Sequence, residues 1–244
     1  MKYLILFFLA LALPISLVQA AGPDSDGDKL EDWKEIKVYK TDPHNVDTDG
    51  DGFSDYAELK KGYSPLFPKL TLKQADFDKD GLSDSLEIRF KTDLTNPDSD
   101  EDGVKDGAEI KQATNPLSKK NEKLTKTIKI NLAKQKLTYY LNGVSLGEFK
   151  ISSGKPGMGT PRGEFKIINK SPKAWSPYGL WMPFWMGLGT GKFGLHELPV
   201  WPNGYREGED HLGWPVSHGC IRLGVGSAKK LYDWAEVGVK VVIN

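Results

Sequence analysis

Four stretches of the chain repeat one acidic spacing, and five carboxylates within twelve residues repel one another unless something offsets their charge. The copies are Asp24-x-Asp26-x-Asp28-x-Leu30-x-Asp32-x-x-Glu35, Asp47-x-Asp49-x-Asp51-Gly52-Phe53-x-Asp55-x-x-Glu58, Asp76-x-Asp78-x-Asp80-Gly81-Leu82-x-Asp84-x-x-Glu87 and Asp98-x-Asp100-x-Asp102-Gly103-Val104-x-Asp106-x-x-Glu109. Their starts lie 23, 29 and 22 residues apart, a repeat with one insertion between the second copy and the third. Carboxylates at positions 1, 3, 5, 9 and 12, with a backbone carbonyl at position 7 (Leu30, Phe53, Leu82 and Val104), supply the oxygen donors that Ca²⁺ takes, and Gly at position 6 permits the sharp turn. A cation converts the repulsion into folding energy. The first copy has Lys29 where the others have Gly52, Gly81 and Gly103, so it is the weakest of the four candidate sites. A merely solvated acidic linker would not explain why an apolar residue follows each turn.

Short helical patterns such as Tyr56-Ala57-Glu58-Leu59-Lys60-Lys61 follow the loops and are broken by Gly, Asn-Pro or Asp-Pro steps. No long helix enters each loop, which argues against a paired helix-loop-helix arrangement. Over residues 24–116 the pattern resembles the calcium-binding repeats of the thrombospondin type 3 class found in bacterial exported proteins. The resemblance implies a compact, Ca²⁺-stabilised spacer with little regular structure and identifies no partner.

The formal net charge of zero is the sum of two opposite halves. Residues 21–120 hold 24 acidic and 15 basic side chains, whereas residues 121–244 hold 9 and 17 and carry six of the seven tryptophans. The lysines of the basic half are dispersed and no nucleic-acid motif accompanies them, so an anionic polymer outside the cytoplasm suits it better than a nucleic acid. Residues 1–20 start with Lys2, run through an apolar core from Leu4 to Leu9 and reach Val18-Gln19-Ala20, the pattern of a secretory signal peptide cut after Ala20. Pro14 interrupts the apolar run, which is short for a membrane helix. The expected outcome is export to the periplasm or cell wall with no stable membrane insertion after cleavage. With no Cys at the cut, a lipid cannot be attached there.

The single cysteine lies in Ser217-His218-Gly219-Cys220-Ile221-Arg222-Leu223. One cysteine makes no internal disulfide, which leaves a buried thiol, an intermolecular bridge or a nucleophile. A nucleophilic Cys needs a neighbouring group to take its proton and N–H donors to hold the oxyanion. This stretch offers both, together with the permanent charge of Arg222. Upstream, residues 117–125 have a linker-like composition. Alternation from Lys126, a turn signal at Asn142-Gly143 and further apolar runs through Ile168 read as strands. The Gly-rich stretch 154–163 lacks the ending of a phosphate-binding loop and reads as structural. Seven aromatic residues, Trp175, Tyr178, Trp181, Phe184, Trp185, Phe193 and Trp201, are divided between core and a groove wall, and Trp185 is a candidate for binding substrate. Ser227–Glu236 reads as a helix with Ala228, Leu231, Tyr232 and Ala235 inward, and Lys240–Ile243 as a closing strand.

Taken together, Thr160-Pro161-x-Gly163-x-Phe165, Met182-Pro183-Phe184-Trp185-Met186, Gly194-Leu195-His196 and the segment around Cys220 resemble the L,D-transpeptidase catalytic domain of the YkuD type. The resemblance spans residues 126–244 and implies a β-rich, β-sandwich-like catalytic fold with small helices. It further implies Cys220 as nucleophile and His196 as base, with His218 and Gly219 completing the catalytic set. Ser217 shapes the site, and Arg222 orients substrate or supports the loop. The implied reaction is peptidoglycan transpeptidation through a Cys thioester with a stem peptide, without a catalytic cofactor. Water in place of the amine acceptor would make the enzyme a carboxypeptidase. A spent domain that only binds the wall in a Ca²⁺-dependent way would have no chemical need for Cys220, His218 and His196 together. Twenty residues separate His196 from Ser217, longer than is usual in the family, so residues 202–210 form an extra loop and His211 is a rival base. The expected organisation is a signal peptide (1–20), a four-loop repeat region (21–116), a linker (117–125) and a catalytic domain (126–244). A short linker offers no rigid route to Cys220, so the repeats are expected to act as a spacer.

Overall fold

The computed structural model describes residues 22–244, and the expected signal segment lies outside them. Among the described residues no helix is long and apolar enough to cross a membrane. The chain divides into two compact units, one ending at Thr71 and the other running from Leu72 to Asn244.

In each acidic loop the carboxylate at position 1 folds the backbone around itself. Asp24, Asp47, Asp76 and Asp98 each accept from the amide at position 6, at 3.1, 2.8, 3.1 and 2.8 Å. Each loop feeds a short helix: α1 (Asp32–Lys34), which continues as a wider π turn over Glu35–Tyr39, α2 (Asp55–Lys61), α3 (Asp84–Phe90) and α4 (Asp106–Gln112). The loops are joined in pairs. Asp28 accepts from the Tyr56 amide in the first turn of α2 at 2.8 Å, and Asp80 accepts from the Gly107 amide in the first turn of α4 at 2.6 Å. A Cβ on Gly107 would stand 2.8 Å from the Asp80 carbonyl, so only glycine lets the second pair close. The long 29-residue interval in the sequence falls between the pairs, where the two units divide.

Lys29 takes φ 87°, within ten degrees of Gly52, Gly81 and Gly103 at the same loop position. The first loop therefore has the fold of the others and holds an L side chain in a left-handed conformation. Lys29→Gly is expected to relieve about 1 kcal/mol of strain. Slower amide hydrogen exchange across residues 24–35 is the measurement that checks it.

The second unit contains the third and fourth loops together with the β domain. Leu82, Phe90, Ile110 and Ala113 form one buried cluster with Leu141, and Leu124, Val144 and Leu146 pack against it. Residues 117–125, expected as a linker, fold back on α4. The Asn115 amide donates to the Glu122 carbonyl at 3.0 Å and the Leu124 amide to the Ala113 carbonyl at 2.8 Å. A shared apolar cluster holds this pair of loops to the β domain.

Eight strands follow: β1 (Lys126–Asn131), β2 (Lys136–Leu141), β3 (Val144–Ser152), β4 (Gly163–Trp175), β5 (Trp181–Leu188), β6 (Phe193–Glu197), β7 (Ile221–Leu223) and β8 (Lys240–Ile243), with helix α5 (Ser227–Trp234) before the last. Asn142 and Gly143, at φ 46° and 83°, make the tight β2–β3 hairpin turn. The strand order β1-β2-β3-β7-β6-β5-β4-β8 closes on itself, because β8 pairs with both β1 and β4. The resemblance implied a sandwich; here β3 and β4 each pass from one group of strands to the other. β3 pairs with β2 as far as Lys150 and then with β7 at Ile151 and Ser152, while β4 leaves β8 for β5 near Ile167. The core comprises inward residues of every strand, including Ile128, Leu137, Ile151, Ile167, Met186, Leu195, Ile221 and Val241, closed by Ala228, Leu231 and Ala235 at α5.

Candidate active site and acidic loops

The parallel pair β6–β7 sets His196 opposite Arg222 and Leu195 opposite Ile221. Alternation along the strands sends Leu195, Ile221 and Leu223 into the core and leaves His196 and Arg222 on the other face, with Cys220 two residues before Arg222. His196, Cys220 and Arg222 line one cavity of about 530 Å³ together with Ser217, His218, Trp175, Tyr178 and Trp185. The Gly194 backbone lies beside the Cys220 sulfur and favours its thiolate. Gly194 is required on steric grounds, since a Cβ there would run into the Met186 carbonyl of β5.

His196 is buried, 2 % exposed, and its Nδ1 lies 2.5 Å from the Glu197 carbonyl oxygen. A carbonyl only accepts, so Nδ1 carries the proton and Nε2 is left as the basic nitrogen. Burial lowers the His196 pKa to about 4, with Arg222 pushing the same way and the Glu197 carbonyl opposing. Burial also raises the Cys220 pKa, countered in part by the Gly194 amide and by Arg222. The resting pair is therefore a neutral thiol and a neutral imidazole.

The loop before Cys220 is held in a bent form by Ser217. Its buried hydroxyl donates to the Cys220 carbonyl at 2.6 Å and accepts from the Gly219 amide at 3.2 Å. The Gly219 N–H is thus engaged by Ser217, and Gly219 itself supplies a backbone at φ 110°. Thr160 donates to the Gly219 carbonyl at 3.0 Å and accepts from the Gly154 amide at 2.9 Å, so the stretch 154–163 cradles this loop, a structural role as expected. His218 is exposed and stacks on Tyr178 with centroids 4.4 Å apart. Trp185 donates to Asn169 at 3.0 Å and lies nearly parallel to the His196 ring, 6.1 Å away, so it walls the base as much as the cavity. His211 faces the Arg222 guanidinium at 3.5 Å and does not line the cavity. Arg206 of the inserted loop pairs with Glu197 at 2.6 Å and Glu207 with Arg222 at 3.2 Å, pairings that the sequence does not show. Their charge is visible in the sequence, but charge does not reveal partners.

In the acidic loops, oxygens of positions 1, 3 and 5 gather within 4.8 Å of one another in all four copies. Position 9 is hydrogen-bonded to position 2 of its own loop. Asp32, Asp55 and Asp106 spend both oxygens on the amide and hydroxyl of position 2 (Ser25, Thr48 and Ser99), and Asp84 accepts from the Phe77 amide. Buried carboxylate oxygens without a hydrogen-bond donor recur at positions 3 and 12 of every copy: Asp26 and Glu35, Asp49 and Glu58, Asp78 and Glu87, Asp100 and Glu109. Burial, reinforced by the neighbouring aspartates, raises the pKa of Glu35 to about 7, Glu58 to about 8, Glu87 to about 9 and Glu109 to about 7. An oxygen-only donor set with orphaned buried charge suits a hard dication.

Residues 125–243 match the YkuD family of L,D-transpeptidase catalytic domains, and residues 47–62 and 98–119 match the bacterial TSP3 repeat. The YkuD protein of Bacillus subtilis is 29 % identical over 117 residues, which are 48 % of this chain and 65 % of that protein. The YkuD protein of Bacillus licheniformis is 28 % identical over 117 residues, 48 % of this chain and 64 % of that one. The chain thus spans somewhat under two thirds of these curated relatives. Among solved structures, an L,D-transpeptidase from Mycobacterium smegmatis is 25 % identical with a TM-score of 0.44, covering 51 % of this chain and 60 % of that one.

Proposed function

We propose that this chain is an exported peptidoglycan L,D-transpeptidase whose repeats are held folded by Ca²⁺, a reading supported by the match of residues 125–243 to the YkuD family of L,D-transpeptidase catalytic domains and by the TSP3 repeats before them. The observation that carries the catalytic reading is the convergence, on one cavity, of the chain's only thiol and a buried imidazole whose free nitrogen is Nε2.

Cys220 Sγ attacks the carbonyl before the terminal D-residue of a donor stem while its proton passes to His196 Nε2. The C–N bond breaks, the proton returns to the departing amine, and a thioester remains on Cys220. An amine of a second stem then attacks the thioester, giving up a proton to His196 and restoring the thiol. Arg222 supplies positive charge beside the developing anion. No cofactor takes part in these steps. Orphaned oxygens at positions 3 and 12, with those of positions 1 and 5, would hold Ca²⁺, which supplies the charge that lets each loop close. The first twenty residues have the composition of a secretory leader, which supports export to the periplasm or cell wall.

The test is incubation with purified disaccharide-tetrapeptides followed by mass spectrometry. Cross-linked dimers from the wild type and none from Cys220→Ala are expected. Shortened stems without dimers would make the enzyme a carboxypeptidase, and no product of either kind would contradict the reading.

Neutral reactants set the pH dependence. A thiol and an imidazole both uncharged at rest should give kcat/KM a plateau through neutral pH, falling on the acid side as His196 gains a proton near its pKa of about 4. A pH profile of acylation checks this. An acid limb near the ordinary imidazole value, about 6.5, would contradict a buried neutral base.

A further inference from the structure

The loop at 202–210, inserted between His196 and Ser217, sends two charged side chains to the site without lining the cavity. Its base is fixed to β5 through the Val200–Trp181 backbone pair, bonded in both directions at 2.9 Å, and its tip closes where the Trp201 amide meets the Tyr205 carbonyl at 2.8 Å. Arg206 then reaches Glu197 Oε1 at 2.6 Å and the Leu198 carbonyl at 3.2 Å. Glu197, only 4 % exposed, uses its other oxygen to accept from the Gly226 amide at 3.2 Å, so its side chain is held from two sides. The backbone carbonyl of this same residue holds His196 Nδ1.

The next residue of the loop acts on a different element. Glu207 Oε1 lies 3.2 Å from Arg222 Nη1. Arg222 is 5 % exposed, and the groups that face it are Glu207, the His211 ring at 3.5 Å, His196 across the strand pair and Cys220 on the same face of its own segment. A buried guanidinium favours a thiolate and disfavours an imidazolium, and an adjacent carboxylate weakens both effects.

We propose that Arg206 and Glu207 are positioning residues for the Cys220 chemistry: Arg206, through Glu197, fixes the carbonyl that orients His196, and Glu207 sets how much of the Arg222 charge acts on the Cys220 sulfur. The assignment rests on the reading of Cys220 as the nucleophile, and it gives the longer His196–Ser217 interval a purpose. Without the loop, Arg222 would stand buried with no carboxylate, and the Glu197 side chain would lack its cation.

Since Cys220 is the only cysteine, alkylation of the full chain by iodoacetamide reports on this sulfur alone and needs no peptidoglycan. Followed by intact mass against pH, Glu207→Gln and Glu207→Ala should each move the alkylation midpoint to lower pH by roughly half to one unit. Glu207→Asp, which keeps the charge, should stay near the wild type, as should Glu209→Gln at an exposed neighbour. Arg206→Gln should leave the midpoint in place while lowering kcat of acyl transfer roughly tenfold at little change in KM, with partial recovery in Arg206→Lys. Superimposed profiles for wild type and either charge-removing variant of Glu207, or an equal shift from Glu209→Gln, would overturn the role of Glu207. A loss in KM alone would overturn that of Arg206. A shifted midpoint in a protein that forms no muropeptide product would count against the transpeptidase reading and leave the electrostatic assignment standing.

Discussion

Removing Ca²⁺ from the full chain is expected to lower the thermal midpoint of the β domain, as well as loosening the acidic loops. The third and fourth loops share a compact unit with the β domain, and residues of both, Leu82, Phe90 and Ile110 on one side and Leu141 on the other, make one buried cluster. Without a cation, Asp78, Glu87 and Glu109 are buried against further aspartates, and their pKa values rise to about 6, 9 and 7. Opening the loops to separate these charges would expose the apolar cluster and the β2–β3 hairpin beneath it. A ligand at ten times its Kd stabilises by about 1.4 kcal/mol per site, so two loops contribute about 3 kcal/mol. For a unit of this size that is a shift of roughly 6–12 °C. Calorimetry with Ca²⁺ and with chelator gives the shift, and hydrogen exchange over residues 137–150 locates it. A thermal transition of the β domain and a hairpin protection unchanged by chelation would mean that the loops are only appended.

His196→Ala should slow acylation of Cys220 by about 10²–10⁴-fold, the usual contribution of a positioned general base, while His211→Ala should cost no more than a few fold. His196 lines the cavity with Cys220 and has Nε2 free, whereas His211 faces Arg222 and lies outside the cavity wall. Single-turnover rates with a tetrapeptide donor make the comparison. A larger loss from His211→Ala would transfer the role of base to it.

Much of this was legible because it is local. The acidic spacing recurs at fixed offsets, Asn142-Gly143 has few alternatives to a hairpin turn, and the inward face of α5 follows from its period. The match of residues 125–243 to the YkuD family agrees with the motifs around His196 and Cys220. What stayed hidden depends on which distant segments meet. Nothing in the spacing says that Asp28 bonds to the amide of Tyr56, or Asp80 to that of Gly107, although the uneven 29-residue interval marks where the pairs part. The composition of residues 117–125 suggests a linker because polarity is visible and the partners of its backbone are not. The Ser217 hydroxyl that holds the Gly219 amide is likewise invisible in the spacing. The partners of Glu197, Arg206 and Glu207 emerge only when the inserted loop closes.

The proposed chemistry depends above all on Cys220 carrying the acyl group. Intact-protein mass spectrometry of the full chain, quenched in acid during turnover of a disaccharide-tetrapeptide, tests this directly. The result expected is one adduct whose mass is the donor stem less its terminal residue, mapped to the peptide containing Cys220, lost on adding an amine acceptor and never formed by Cys220→Ala. Wild-type protein that stays unmodified while the donor also remains intact, or an adduct that survives in Cys220→Ala, would contradict it.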